Sequence, residues 1–141
     1  MEARLFAHSE IGGFEGRDDL REWLRGELSK RGGLYFLRKK YRLAPDSLAF
    51  FDAEGHIVGC AVVAELPHDI KEPDEKSLWE ETGRRKDFRA VMRIDPASIH
   101  VWERHQDVAS SEIGIRVLPG PPITLDARQV LGIFALVAAR K

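Results

Sequence analysis

Four titratable residues that lie close together in the sequence could perform acid–base or metal chemistry: His100, Glu103, His105 and Asp107. Imidazole and carboxylate groups are the usual proton carriers and metal ligands of enzymes. The separation of the two histidines, i and i+5, matches neither a zinc-binding helix motif nor a catalytic triad. The sequence therefore predicts no catalytic residue, no cofactor and no metal at this place.

The single cysteine and the glycines do not indicate a catalytic centre either. Cys60 lies inside an apolar run, which is typical of a small core residue and not of an activated thiol. The sequence contains no glycine-rich phosphate loop and no nucleophile elbow. Because one cysteine cannot build a disulfide framework, we expect a reducing, cytoplasmic setting.

Positive charge is segregated along the chain, although the whole protein is nearly neutral. There are 22 Lys and Arg against 23 Asp and Glu, which gives a net charge of −1. One basic cluster occupies residues 30–42 without an acid, and a second occupies residues 84–93 with Asp87 as its one acid. Such segregation predicts a basic face of the kind that binds nucleic acids. Two solvated loops joined by salt bridges are an equally good interpretation.

A β-hairpin is the clearest structural pattern in the chain. Two apolar segments, residues 48–51 and 57–64, are separated by a polar turn that contains Gly55. The second segment is apolar almost throughout, which predicts a central strand buried on both faces. Gly59 inside that strand predicts a bulge or the close approach of another group.

Helices are predicted on either side of the strands. Apolar residues at helical spacing predict a helix from Asp18 to Lys30, capped by Asp18 and with Trp23 on its buried face. Thr124 is expected to cap a final helix from Leu125 to Ala139. The remaining predicted segments are strands at 2–8, 34–37, 88–94 and 98–104, a short piece at 114–118, and an acidic insertion at 65–86.

This order of elements predicts one α+β domain over residues 1–141. Its natural packing is a small, mostly antiparallel β-barrel flanked by helices. No segment approaches the ~20 consecutive apolar residues of a membrane helix. We also expect no signal peptide before the first strand and no membrane partner.

Three segments resemble the EVE-like branch of the PUA-like superfamily, whose relatives include ASCH and YTH domains. The first is the hairpin, LAFFDAEG followed by IVGCAVVAE. The second, DFRAVMRIDPASI, is similar to the strand and proline-containing turn that come next in those domains. The third, IGIRVLPGPPITLDARQVLGIFAL, is similar to their arginine-containing segment and capped terminal helix. The chain departs from ordinary EVE domains in its early helix and extra strand, and it lacks their tryptophan-rich opening.

The resemblance implies a PUA-like barrel with an aromatic pocket that accepts a flipped-out base. Aromatic side chains replace the lost stacking at about 1–3 kcal/mol per base, and a polar group recognises the edge of the base. The candidate pocket residues are Trp102, Tyr35, Trp79, Asp52 and Ser9. Trp102 is the first choice for stacking, because alternation places it on the less apolar side of its strand. Core packing is the alternative for Trp102 and Tyr35. Trp79 could instead pin the insertion, and Asp52 and Ser9 could have turn or cap roles.

The resemblance also implies cations beside the flipped base, which contribute affinity but no sequence choice. The candidate phosphate ligands are Arg38, Lys39, Lys40, Arg42, Arg84, Arg85 and Arg116. Solvated charge is the alternative for each of them.

As a whole, the resemblance implies a non-catalytic domain that recognises a modified base in DNA. Its expected setting is a larger restriction or defence protein with a fused nuclease or NTPase domain. One alternative is an RNA-binding PUA or ASCH-type domain without preference for modification. Another is a protein-interaction module that uses the acidic insertion. Because some ASCH domains are enzymes, a hydrolase or nuclease is a further alternative.

Overall fold

A computed structural model describes residues 2–8, 14–71, 88–117 and 120–141. In these ranges the helices are α1 (Arg17–Arg25), α2 (Glu27–Lys30) and α3 (Ala127–Ala139). The strands are β1 (Ala3–His8), β2 (Leu34–Leu37), β3 (Leu48–Ala53), β4 (His56–Asp69), β5 (Ala90–Ile94), β6 (His100–Val101), β7 (Val108–Ala109) and β8 (Ile123–Leu125).

The described strands form one sheet in the order β2-β5-β4-β3-β1-β8, and the short strands β6 and β7 also pair with β4. The β1–β3 pair is parallel, and the other pairs are antiparallel. The predicted α+β class with a mostly antiparallel sheet is therefore confirmed. The predicted closed barrel is not confirmed, because β2 and β8 remain the two ends of the sheet across the described ranges.

The long strand β4 bends and folds the sheet over itself. It has 14 residues, and its register against β5 shifts between Val63 and Glu65 and again between Glu65 and His68. Such irregularities bend a strand and increase its twist. As a result β2 lies over β1, although three strands separate them in the sheet, and the ring centroids of Tyr35 and Phe6 are 5.6 Å apart.

Successive residues of β3 face two different cores, one on each side of the sheet. Phe51 packs on the side covered by α1 and α2, whereas Phe50 packs on the side covered by α3. Leu20, Leu24 and Leu28 are fully buried in the first core. The apolar face predicted for the early helical region is thus the face that packs on the sheet.

Both helical regions differ in detail from their predictions. Gly26 separates α1 from α2 with a φ of −105° and a ψ of −77°, and Asp18 lies inside α1 instead of capping it. The last helix is capped by Asp126 and not by Thr124. The Asp126 carboxylate accepts a bond from the Gln129 backbone N–H, and the Gln129 side chain accepts one from the Asp126 backbone N–H. This reciprocal capping box satisfies two N–H groups that would otherwise have no partner.

The lengths of two strands also differ from the sequence predictions. β4 continues to Asp69, so residues 65–69 extend the central strand, while residues 72–86 of the predicted insertion lie outside the described residues. β6 contains only His100 and Val101 of the strand predicted at 98–104. None of the described helices is both long and apolar enough to cross a membrane.

Gly59 allows β6 to approach β4 closely. A Cβ atom at this position would stand 2.7 Å from the carbonyl oxygen of His100 and 3.2 Å from the Cα atom of Val101. Both are backbone atoms of a strand that is paired with β4 at this point, so they cannot move aside. The close approach predicted from the sequence is therefore confirmed.

We expect Gly59→Val to lower the free energy of unfolding by about 3 kcal/mol, because the new side chain collides with backbone atoms. Chemical denaturation followed by circular dichroism measures this change. Gly132→Ala is the matched control, since its Cβ would lie at an ordinary 3.5 Å from Ile113 Cγ2. It should raise stability by about 0.5–1 kcal/mol through helix propensity. Equal midpoints for Gly59→Val and the unmodified protein would contradict this account.

Candidate functional site

An aromatic cluster lies on the α1 side of the sheet at the end of β1. It consists of Phe6, His8, Phe14, Trp23, Tyr35 and Phe51. Ring centroids in contact are 5.0 to 6.5 Å apart, and most pairs meet edge to face, the favourable geometry for aromatic rings. His8 is half-buried and the other members are buried, so the histidine forms the accessible edge of the cluster.

Two hydrogen bonds fix the tautomer of His8. Its Nδ1 lies 3.1 Å from the backbone carbonyl oxygen of Asp52, which can only accept, so Nδ1 carries the proton. Its Nε2 then accepts the hydroxyl proton of Tyr35 at 2.6 Å. Burial, with a contribution from Tyr41, raises the pKa of Tyr35, so the phenol keeps the proton that it donates. The chain from Tyr35 through His8 to Asp52 holds the imidazole in one orientation.

Trp23 brings a buried hydrogen-bond donor into the aromatic cluster. Its ring centroid lies 5.4 Å from that of Phe14 and 5.8 Å from that of Tyr35, in both cases edge-on. The indole Nε1 is buried and has no hydrogen-bond partner. A buried donor left unpaired costs roughly 1–3 kcal/mol. An acceptor on a bound molecule would remove that cost.

Arg21 fixes the position of α1 and therefore of Trp23. Its guanidinium donates two bonds to the carboxylate of Asp107, at 3.0 and 2.6 Å, and a third to the carbonyl oxygen of Trp102 at 3.2 Å. Arg17 lies 3.5 Å from the same carboxylate. Burial raises the pKa of Asp107, and the two guanidinium groups oppose that rise. This buried network ties α1 to the chain around β6 and β7.

Asp52 is buried at the end of β3, and its carboxyl points away from the aromatic cluster. Phe51 and Ala53 on either side of it both pack in the α1-side core, so the side chain between them lies on the other face. Its exposed fraction is 2%, and its Oδ2 has no hydrogen-bond partner. Burial raises the pKa of this carboxyl to about 6, although a hydrogen bond from Gly55 and the proximity of His56 lower it. Only the backbone carbonyl of Asp52 reaches the cluster.

Trp102 lies on the opposite face of the sheet from the aromatic cluster. It is 2% exposed, belongs to the same core as Phe50 and Ile133, and donates its indole N–H to the carbonyl oxygen of Ile57 at 3.0 Å. The prediction that its ring stands open for stacking is therefore wrong. β6 ends at Val101, so the alternation on which that prediction depended does not extend to the tryptophan.

The predicted pocket residues are not gathered at one place. Tyr35 belongs to the aromatic cluster, whereas Trp102 and the carboxyl of Asp52 lie on the other face. Ser9 and Trp79 lie outside the described residues.

The aromatic cluster contains two site candidates that the sequence did not single out. Trp23 was assigned to the core by its helical spacing, and its burial confirms that assignment, but its unpaired N–H leaves no trace in the sequence. His8 owes its position to the parallel pairing of β1 with β3. No local pattern marks such a pairing between distant strands.

Four of the predicted phosphate ligands lie in the basic segment, which we define as residues 38–42 between β2 and β3. Arg38, Lys39, Lys40 and Arg42 are all exposed. Lys40 Nζ lies 3.8 Å from the Asp69 carboxylate, an exposed pair that contributes little to stability. The carbonyl oxygen of Arg42 accepts a bond from Arg4 at 3.2 Å, which holds the segment beside the start of β1.

Arg42 of the basic segment and the accessible edge of the aromatic cluster lie at opposite ends of β1. Arg4 contacts the segment, and His8 forms the edge of the cluster. Four residues of strand span about 13 Å. Of the other predicted cations, Arg116 is exposed after β7, and Arg84 and Arg85 lie outside the described residues.

The residues that could have formed a catalytic or metal cluster are not brought together. Asp107 is buried against its arginine partners, whereas His100, Glu103 and His105 are exposed. Within the described ranges, no three histidine, cysteine or carboxylate side chains are arranged to hold a metal ion. Burial raises the pKa of the Cys60 thiol to about 11, which keeps it protonated at neutral pH.

The fold is similar to that of solved ASCH and YTH domains. The ASCH protein of Zymomonas mobilis has a TM-score of 0.58 at 12% identity, over 95% of this chain and 94% of that one. A point mutant of the same protein gives 0.57 at 11% identity, over 96% and 99% of the two chains.

A YTH domain from Zygosaccharomyces rouxii, solved in complex with N6-methyladenosine RNA, has the same fold. Its TM-score is 0.53 at 11% identity, over 96% of this chain and 86% of that one. No protein family and no curated protein sequence matches this chain. The likeness to solved structures therefore concerns the fold alone.

Asp52 should make stability depend on pH. Burial raises the pKa of Asp52 in the folded state from 3.8 to about 6, so the protonated carboxyl favours folding. This contribution to the free energy of unfolding is complete below pH 4 and is lost as pH rises through 6. Between pH 4 and pH 7, we expect the free energy of unfolding of Asp52→Asn to rise by up to about 3 kcal/mol relative to that of the unmodified protein. Denaturant unfolding across this range measures the difference. Asp46→Asn, at an exposed turn, is the control. A constant difference for Asp52→Asn would disprove the prediction.

Proposed function

We propose that this protein is a nucleic-acid-binding module that recognises a modified base at the aromatic cluster. The observation that carries the proposal is the unpaired, buried N–H of Trp23 among aromatic rings, beside a histidine held in one tautomer. Stacking surfaces and a small number of fixed polar groups are what an extruded base requires. The PUA-like fold supports this proposal by analogy.

The base would take the place of Phe14, whose ring now stands between His8 and Trp23. Its centroid lies 5.0 Å from that of His8 and 5.4 Å from that of Trp23, at interplanar angles of 88° and 84°. These edge-on contacts fill the space between the two rings, so entry of a base requires Phe14 to move. The base would then stack on the exposed rings and accept a hydrogen bond from the Trp23 N–H. Tyr35 stays a proposed pocket residue through its bond to His8.

The basic segment would bind phosphates of the same strand. Arg4, which contacts Arg42 of this segment, lies four strand residues, about 13 Å, from His8 at the edge of the cluster. A single strand of a few nucleotides can cover this span. Cations at this distance increase affinity for any sequence and leave the choice of base to the aromatic cluster.

The kind of nucleic acid divides the proposal into two forms. The EVE resemblance favours a base flipped out of DNA, recognised by the non-catalytic domain of a larger restriction or defence protein. The second form, an RNA reader, is favoured by the YTH structure that was solved with N6-methyladenosine RNA. Both forms use the same aromatic cluster, and binding assays with both kinds of probe separate them.

Trp23→Phe should weaken binding to the preferred modified probe about tenfold, because it keeps an aromatic ring and removes the unpaired indole N–H of the aromatic cluster. Fluorescence anisotropy measures this with RNA carrying N6-methyladenosine, with duplex DNA carrying 5-methylcytosine, 5-hydroxymethylcytosine or N6-methyladenine, and with unmodified probes. Trp102→Phe is the matched control: its N–H is bonded inside the other core, so it should lower stability and leave preference unchanged. Absence of binding to every probe would reject the proposed function.

Exchanging Lys39 and Lys40 together for Glu should weaken binding to modified and unmodified probes alike. It should also reduce the slope of log affinity against log salt by about 2, one for each phosphate contact. The double exchange of the same residues for Arg keeps the charge and is the control. If the Glu variant kept its affinity and slope, the basic segment would not contact the nucleic acid.

A further inference from the structure

Phe14 is the member of the aromatic cluster whose backbone is least restrained by the fold. The other five rings lie on β1, β2, β3 or α1, so the hydrogen bonds of the sheet or of a helix fix their backbone. Phe14 belongs to no strand or helix, although its side chain is only 7% exposed. Its ring packs edge-on against His8 and Trp23. This ring can therefore leave the cluster while every strand and helix described above stays intact.

Two local features fix the chain around Phe14. Asp19, the third residue of α1, accepts a hydrogen bond from the Glu15 backbone N–H at 3.0 Å. Gly16 has a φ of +112°, which other residues rarely adopt, and a Cβ atom there would collide with the Glu54 carboxylate. The turn at Gly16 sets the direction of the chain, whereas the bond to Asp19 is exposed to solvent. Exposed bonds of this kind are among the first that open in a folded protein.

We infer that Phe14 is an internal plug of the base site, and that the bond between Glu15 and Asp19 controls how often the plug leaves. The inference rests on the proposed function for the identity of the incoming ring, but the opening is a property of the protein alone. Because the closed form cannot bind, the apparent dissociation constant is the intrinsic one divided by the open fraction. The plug therefore lowers affinity for every ligand of the base site.

An incoming base offsets the cost of removing Phe14 from the cluster. Departure of Phe14 exposes its ring to water and removes the edge-on contacts with His8 and Trp23. A planar base fills the same space and supplies an acceptor for the Trp23 N–H, which a phenyl ring does not. The exchange thus favours a ring that carries an acceptor, and the site stays closed until such a ring arrives.

Hydrogen exchange of the indole N–H groups tests the plug without any ligand. Asp19→Ala should raise the exchange rate of the Trp23 N–H about fivefold, the factor that one lost hydrogen bond is worth. Glu22→Ala is the matched control, since it removes an exposed carboxylate from the same helix and leaves the bond to Glu15 in place. The Trp102 N–H, which is bonded inside the other core, should exchange equally slowly in every variant. Two-dimensional NMR follows the signals, and Trp23→Phe identifies the one that it removes.

Affinity should follow the same opening. Asp19→Ala should bind the preferred modified probe about fivefold more tightly, because the open fraction rises by that factor. Phe14→Ala removes the plug altogether and should bind about tenfold more tightly or better. Fluorescence anisotropy with the probes named above measures both changes. Glu22→Ala corrects for the loss of a negative charge, which by itself favours binding of a nucleic acid.

The outcomes separate the plug from the proposed function. If the Trp23 N–H exchanges at one rate in Asp19→Ala and Glu22→Ala, the plug is rejected, whatever the protein binds. If exchange rises in Asp19→Ala but no probe binds to any variant, the plug stands and the proposed function is rejected. If the unmodified protein binds a modified probe and neither Phe14→Ala nor Asp19→Ala binds it more tightly, a base does not displace Phe14 and the inference is wrong.

Discussion

The bend in β4 is the constraint on which the rest of the molecule depends. This strand carries β3, β5, β6 and β7 as partners, so a change in its direction changes the direction of the sheet. Its two register shifts turn the second half of the strand and bring β5 and β2 over the α1 side. Tyr35 can therefore bond to His8, although their strands are not neighbours in the sheet. Without the bend, the aromatic cluster would not exist.

Most of the buried polar side-chain atoms that lack a hydrogen bond belong to α1. The buried side-chain atoms without a hydrogen bond in the described ranges belong to Arg17, Arg21, Trp23 and Asp52, of which three lie on α1. The ion pair between Arg21 and Asp107 holds the same helix. Desolvation of this pair is costly, but its two parallel hydrogen bonds fix one position of α1 relative to Asp107. A rigid helix with unsatisfied donors is suited to binding, because little order has to be created when a ligand arrives.

The sequence was sufficient for features that depend on neighbours along the chain. The hairpin, the buried face of the early helix and the close approach at Gly59 could all be predicted from local patterns. The environments of Trp102 and His8 could not be predicted in this way. Trp102 bonds to Ile57, 45 positions away, and His8 bonds to Asp52, 44 positions away. Alternation correctly predicted a strand before Trp102 but could not show where it ends. A candidate site assembled from such distant partners is visible only once the sheet is formed.

The position of β1 in the sheet affects how the chain folds during translation. β1 pairs with β3 on one edge and with β8, residues Ile123–Leu125, on the other. During translation, the edge of β1 that pairs with β8 therefore stays open until residues 123–125 have emerged from the ribosome. Pairings so distant in sequence form slowly, and open strand edges recruit other chains. Aggregation of nascent chains is thus a hazard that this topology creates during translation.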